Sequence, residues 1–314
     1  MTDSLAGIVI AETWELESLL GRGGMGEVWL ARHLRVDGKQ AAIKVMRTLG
    51  ALNPELLLRF RREAEIAARL EHPNIVQLFD FATLPSGEPY LVMEYLRGES
   101  LKMRVARGPI PWDALSPLVV QLCSALHVAH QRGVVHRDLK PENIFLVPTP
   151  TGDQVKVLDF GISKVMGSDT MQTSNSVLIG TPMYMSPEQA MSNNDELDQR
   201  SDVFSLASVL YEALSGKPAF AASGVAQVVH RVAFVDPEPL TNVPDTVWAA
   251  LQRALAKFPA QRTPDIATFV FELTGTPLVG ATPTPAPVAQ PSSNPTRASR
   301  PGALSQTVVS PRLA

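Results

Sequence analysis

The sequence predicts an α+β fold in two lobes, a small antiparallel sheet carrying one helix and then a larger, mainly helical lobe. Three observations lead there. Up to about Leu96, short runs with strand character are separated by turn residues and interrupted by one stretch of helical period. Beyond Leu96 the pattern is mainly helical. Near Thr274 the composition breaks, because residues 276–314 hold eight Pro and three Arg, many Ser, Thr and Ala, and no acid. Such a segment has too little apolar surface to offset the entropy of ordering. The expected division is an N-terminal extension at 1–13, a small lobe at 14–93, a linker at 94–98, a large lobe at 99–273 and a disordered tail at 274–314.

Taken in order, Glu15 to Gly21 and Glu27 to Ala31 read as strands across a glycine turn. Val36-Asp37-Gly38-Lys39 is a hairpin signal leading into a strand over Ala41 to Met46. Asn53 as N-cap, Pro54 at the first helical position and Glu55 behind it start a helix expected to reach about Leu70, with Pro73 forcing the exit. Leu56, Phe60, Glu63, Ala67 and Leu70 share one face of that helix. Glu63 therefore stands in an apolar stripe, whereas Glu65 lies off it. A buried carboxylate calls for a cation, and Lys44 on the preceding strand is the candidate. Strands near Ile75 to Phe81 and Tyr90 to Glu94 complete the sheet.

With 45% hydrophobic residues in 314, the chain has material for a substantial core. The 28 Lys+Arg against 31 Asp+Glu give a net charge of −3, which lacks the basic footprint of a nucleic-acid binder. Cys123 is the sole cysteine and lies in the apolar run Leu118 to Leu126, an inert thiol suited to a reducing cytoplasm. Met1-Thr2-Asp3-Ser4 lacks a basic leader region, and no apolar run reaches the roughly 18 residues a membrane helix needs. The expectation is a cytoplasmic protein with no membrane and no nucleic-acid partner. His127 and His130 lie three apart on a predicted helix without further ligands at metal spacing, and they read as ordinary helix residues.

Gly21-Arg22-Gly23-Gly24-Met25-Gly26-Glu27-Val28 fits GxGxxGxV, which alone suits an ordinary hairpin equally well. It opens no helix and is not followed by Lys and Ser/Thr, so the dinucleotide and Walker phosphate loops fail. The specific signal lies downstream, in His136-Arg137-Asp138-Leu139-Lys140-Pro141-Glu142-Asn143 with Asp159-Phe160-Gly161 sixteen residues after Asn143. With Ala41-Ala42-Ile43-Lys44, where the usual pattern begins with Val, these motifs resemble the eukaryotic-type (Hanks-type) serine/threonine protein kinases of bacterial kind. The resemblance covers about residues 14–273.

That resemblance implies a two-lobed protein kinase fold and transfer of the ATP γ-phosphoryl group to Ser/Thr hydroxyls of proteins. Asp138 would orient or accept the hydroxyl proton, and Lys140 would neutralise charge on the transferred group. Lys44, positioned by Glu63, would hold the α- and β-phosphates. Asn143 and Asp159 would ligate Mg²⁺, with Mn²⁺ as an alternative. Leu20, Gly21, Arg22, Gly23, Gly24, Met25 and Gly26 would form the phosphate flap. Val28, Ala42 and Phe145 would enclose the adenine beside the linker residues Met93, Glu94 and Leu96, with Glu99 near the ribose. His136 would be structural. In the segment from Asp159 to Ser186-Pro187-Glu188, Thr181 would meet the substrate, and Glu188 has a partner in Arg262. Asp202 would cap the catalytic-loop backbone. Arg137 calls for an anion that phosphorylation of Thr173, Ser176 or Ser174 would supply, through transient self-association. A pseudokinase-type scaffold and a small-molecule kinase are the alternatives, opposed by the intact Lys44, Asp138, Asn143 and Asp159 and by the Gly180 to Glu188 docking segment.

The tail is expected to be a linker or docking arm rather than part of the catalytic unit. Truncation after Gly275 should leave phosphorylation of a peptide unchanged, and a large loss in a steady-state assay would show that the tail docks on the domain.

Overall fold

Period-two burial builds the first sheet. In a computed structural model, which describes residues 5–23, 26–46, 54–160, 182–193 and 197–278, six strands pair antiparallel in the order β1-β2-β3-β4-β6-β5. They are β1 (Val9–Ile10), β2 (Trp14–Gly23), β3 (Gly26–His33), β4 (Gln40–Val45), β5 (Leu78–Thr83) and β6 (Pro89–Glu94). Ile10, Trp14, Leu16, Trp29, Ala31, Ala41, Ile43, Val45, Tyr90 and Val92 form one apolar cluster on one face. The cross-strand pairs Val28↔Lys44, Lys44↔Leu91 and Ala42↔Met93 put those residues on the other face. There α1 (Pro54–Ala68) packs Phe60 and Ala64 with Met46 and Leu91. β1 also draws part of the expected N-terminal extension into the sheet edge, pairing Ile10 with Trp14.

α1 ends at Ala68 rather than near Leu70, since the next residues cross to the other lobe. Leu70 and Ile75 belong to the large core. Val76 N donates to Val157 O at 2.9 Å and Val157 N to Asn74 O at 2.8 Å, while Asn74 Nδ2 reaches Val155 O and Gln121 Oε1 at 2.8 Å each. Buried polar groups of this segment are thus satisfied by the large lobe.

The large lobe comprises β7 (Glu99–Ser100), α2 (Leu101–Val105), α3 (Trp112–Gln131), β8 (Ile144–Thr149), β9 (Gly152–Val157), α4 (Pro187–Ala190), α5 (Gln199–Ser215), α6 (Val225–Phe234), α7 (Asp245–Ala254) and α8 (Ile266–Thr274). β7, β8 and β9 form a small second sheet that the helical expectation left out. α5 is buried on all sides from Ser201 to Ala213, which makes it the central helix. Its small hydroxyls survive burial because each has a partner. Ser201 Oγ donates to Glu188 Oε1 at 2.7 Å, Ser205 Oγ to Tyr184 O at 2.7 Å, and Ser208 Oγ to Phe204 O at 3.0 Å. Asp198 caps its start through the Arg200 amide, and Gly216 at φ 75° ends it. Among the described residues no helix is long and apolar enough to cross a membrane.

Arg262, 1% exposed, makes the bidentate pair with Glu188 expected from the sequence, at 2.7 Å for both bonds. It also donates to Ala256 O, Lys257 O and Arg200 O, which satisfies the fork. Burial opposes ionisation of Glu188, but the hydrogen bonds and charge of Arg262 outweigh it and hold the carboxyl below its usual range. Breaking such a pair from one side costs about 3–5 kcal/mol, on the order of 10 °C in melting temperature for a domain of this size. Glu188→Gln is therefore expected to melt well below wild type at pH 7. A lowered folded-state pKa contributes stability that is complete above the unfolded value of about 4.3 and lost as pH falls through the folded one. The gap between wild type and Glu188→Gln should narrow below about pH 4, which calorimetry across pH 3–8 checks.

Candidate active site

The loop between α3 and β8 is positioned by one carboxylate. Asp202, fully buried in the first turn of α5, accepts from His136 N at 2.7 Å through Oδ2 and from Arg137 N at 2.9 Å through Oδ1. His130 Nε2 adds a third bond at 2.7 Å to Oδ2. Burial works against the charge of Asp202, but His130 and the loop amide prevail and keep it ionised below the usual carboxylate range. His130, read from the sequence as an ordinary helix residue, is thus part of the loop's support. Arg137 stands at φ 67°, a left-handed conformation disfavoured for a residue with a Cβ. Its carbonyl is held as well, by Gln189 Nε2 of α4 at 2.7 Å.

His136 serves as a connector. Its Nε2 donates to Leu158 O at 2.8 Å, its ring packs on Phe160 at 4.7 Å, and its Nδ1 accepts from Asp138 N at 3.3 Å. These bonds select the tautomer with the proton on Nε2. They also tie the loop to the strand exit that carries Asp159.

Beyond His136 the reactive groups gather. Lys140 Nζ lies 2.7 Å from Asp138 Oδ2. Asn143 Nδ2 donates to Asp138 O at 2.8 Å and to Oδ2 at 3.2 Å, which leaves the amide oxygen available to a cation. Asp159, at φ 56°, pairs with Lys44 Nζ at 2.7 Å across the seam between the lobes. Burial raises the cost of its charge, yet Lys44 outweighs it, with Lys140 and His136 adding to the effect, and the carboxyl sits below its usual range. His136, bonded to both Asp138 N and Leu158 O, ties the two clusters together.

The pair expected between Lys44 and Glu63 is not formed here, because Asp159 supplies the anion. Glu63 is half-buried on α1. Glu99, expected near a ribose, is clamped by Arg107 and Arg104, whose hydrogen bonds hold its carboxyl at about 2. Leu20, Gly21, Arg22 and Gly23 are exposed on β2, and Arg22 Nε pairs with Glu27 Oε1 at 3.0 Å. A Cβ on Gly21 or Gly23 would meet nothing within 4 Å, so their backbones are open to a ligand. Gly26 differs, since a Cβ there would stand 2.0 Å from Val45 O. Its role is close strand packing. Gly98 meets the same limit against Leu146 O, a requirement of the linker that no sequence motif announced. Val28, Met93, Glu94, Leu96 and Phe145 are half-buried, and Ala42 is 9% exposed. Gly24, Met25, Thr173, Ser174, Ser176 and Thr181 lie outside the described residues.

Asn143 and Asp159 offer hard oxygen donors that fit a divalent cation whose remaining ligands are phosphate or water oxygens. Among the described residues no group of three or more His, Cys, Asp or Glu could cage a metal unaided. Phosphate-dependent metal binding is therefore the chemistry this donor set suits.

The sequence matches the protein kinase domain family over residues 14–265. It is similar to the serine/threonine-protein kinase PknB of Mycobacterium leprae, at 41% identity over 81% of this chain and 41% of that protein. It is also similar to the serine/threonine-protein kinase Pkn1 of Myxococcus xanthus, at 40% identity over 85% of this chain and 38% of that one. The chain thus spans about two-fifths of the length of these curated relatives. Among solved structures, the PknI kinase domain of Mycobacterium tuberculosis superimposes with a TM-score of 0.67 at 28% identity, covering 88% of this chain and 99% of that one. With this match over most of its length and the two-lobed architecture beneath it, the chain belongs to the protein kinase domain family.

Proposed function

We propose that the chain is a serine/threonine protein kinase acting in the cytoplasm on protein substrates, with ATP as phosphoryl donor. The observation that carries this reading is the single cluster in which Lys140 and Asn143 hold Asp138 while the charge of Lys140 also reaches Asp159. A substrate hydroxyl would place its proton on Asp138 Oδ1, since Oδ2 is engaged by Lys140 and Asn143. As the bond between the γ-phosphorus and the β–γ bridging oxygen breaks, a new phosphorus–oxygen bond forms to the hydroxyl oxygen, and ADP leaves with the bridging oxygen. Lys140 neutralises charge on the moving group, which matters most in a site with little water. Lys44, held by Asp159 in this structure, would exchange that carboxylate for the α- and β-phosphates. Asn143 and Asp159 would hold Mg²⁺, or Mn²⁺ in its place, which neutralises phosphate charge when bound.

Gly21 and Gly23 supply open backbone for the phosphates, and Val28, Ala42 and Phe145 would enclose the base beside Met93, Glu94 and Leu96. Glu63 on α1 would pair with Lys44 once Asp159 turns to its ligands, which makes α1 a switch. Ser and Thr acceptors are favoured over Tyr by Lys140 together with Thr181.

Asp138→Asn is expected to slow transfer to a protein substrate by roughly 10²–10⁴-fold with little change in melting temperature, since it removes a charge and no core volume. Asp159→Ala should show an equally large loss and a raised Mg²⁺ requirement. A purified Asp138→Asn variant with near wild-type turnover would remove Asp138 from the chemistry.

The strained Arg137 beside Asp138 motivates a regulatory extension. Autophosphorylation of Thr173, Ser176 or Ser174 between two transiently associated copies would give Arg137 a dianionic partner and order the docking segment. Phosphatase treatment is expected to lower activity and preincubation with Mg-ATP to restore it, with Arg137→Ala insensitive to both. Mass spectrometry of active enzyme finding no phosphate between residues 163 and 181 would end this mechanism.

A further inference from the structure

Glu94 closes β6 where the chain passes from one lobe to the other. Its main chain belongs to the small lobe, paired with Ala41 on β4 and donating from its amide to Gln77 O at 3.0 Å. Its side chain makes contacts that phosphoryl transfer does not use. Glu94 Oε1 accepts from Gln77 N at 2.8 Å and from Lys156 Nζ at 2.6 Å. Lys156 lies on β9 of the large lobe, directly across from Phe145 on β8 and between Val155 and Val157, which are both fully buried. One carboxylate oxygen therefore spans the lobe seam beside the linker. The side chains are only 13% and 23% exposed for Lys156 and Glu94, so the pair is poorly screened and its geometry is held tightly compared with a surface pair.

Other bridges across this seam include the main-chain bonds Val76 N to Val157 O and Val157 N to Asn74 O, the Asn74 side chain on Val155 O, and the Lys44–Asp159 pair deeper in the cleft. The pair of Glu94 and Lys156 fixes, by side chains from the two lobes, the residue whose backbone enters the linker. We propose that this pair is an interlobe latch, which holds the backbone at 93–96 in the geometry that receives the adenine and makes Lys156 a positioning residue for nucleotide binding. The inference rests on the nucleotide-cleft reading above. Lys156 need touch no part of the nucleotide. Its effect falls on the affinity for ATP and ADP alike, because the transferred group is handled by Asp138, Lys140, Asn143 and Asp159.

The test uses the full chain with Lys156→Met, Lys156→Arg and Glu94→Gln. ADP affinity is measured by titration calorimetry, and KM for ATP and kcat by steady-state kinetics. Lys156→Met is expected to raise both the ADP Kd and the KM about tenfold, within the usual range of coupling between linked sites, while kcat stays within about twofold. Glu94→Gln, which keeps an acceptor for the Gln77 amide and removes the charge, should match it. Lys156→Arg, which keeps the cation, should bind as wild type does. Unchanged ADP affinity in both Lys156→Met and Glu94→Gln would overturn the latch while leaving the nucleotide reading intact. A rise in kcat would also overturn it, by showing that the pair restrains the enzyme rather than positions it. A wild-type chain without measurable ADP affinity would remove the nucleotide reading and the latch together.

Discussion

Asp202 is the group on which the reactive end of the molecule depends. A carboxylate at zero exposure is costly by itself, and it is tolerated because two loop amides and His130 converge on it. Those same bonds hold Arg137 in a left-handed conformation that an L-residue adopts only when its surroundings over-determine it. α5 is buried around its whole circumference and cannot shift to relieve the strain. The positions of Asp138, Lys140 and Asn143 are in this sense a consequence of how deeply the first turn of α5 is set into the core.

A second constraint acts between the lobes. Lys44 is 8% exposed on a strand of the small lobe, and its charge is tolerated because Asp159 arrives from the large lobe. The opposing terms are burial and attraction, and for Asp159 attraction wins. The pair keeps the Asp159 carboxyl ionised and hydrogen-bonded to Lys44 in the cleft. In the proposed reaction, anionic phosphates and a cation would replace it by exchanging one set of charges for another.

What could be read from the sequence divides along the same lines. Strands and helices came from periodicity, and the proposed roles of Asp138, Lys140, Asn143 and Asp159 from a motif order that resembles a known family. The pair of Glu188 and Arg262 was legible because a bidentate fork has few alternatives once buried. Contacts set by three-dimensional approach were not. The close approach of Gly26 to Val45 O was hidden behind its place in the glycine motif, and Gly98 carried no signal at all. Glu63 was matched to Lys44 by its place on the apolar face and by resemblance, for an active state, and burial alone does not say that Asp159 meets Lys44 in this one. The β8–β9 hairpin alternates buried and less buried residues along both strands, yet it adjoins the catalytic motif, whose residues dominated the reading of that stretch.

The distribution of ion pairs explains why so much of the site depends on directional contacts. Exposed pairs such as Arg59 with Glu55 and Arg200 with Asp198 join residues close in sequence and add little to stability. Several of the better shielded ones join distant elements, α4 to the segment before α8, β4 to the exit of β9 and β6 to β9, and the hydrogen bond of His130 to Asp202 ties α3 to the start of α5. Apolar burial is non-directional and would be satisfied by several small displacements of one lobe or loop against another. A buried charge is not, because moving it by an ångström or two leaves it unpaired in a medium that solvates it poorly. Placing such charges at these seams therefore gives the two-lobed core a defined register at the boundaries that frame the candidate site.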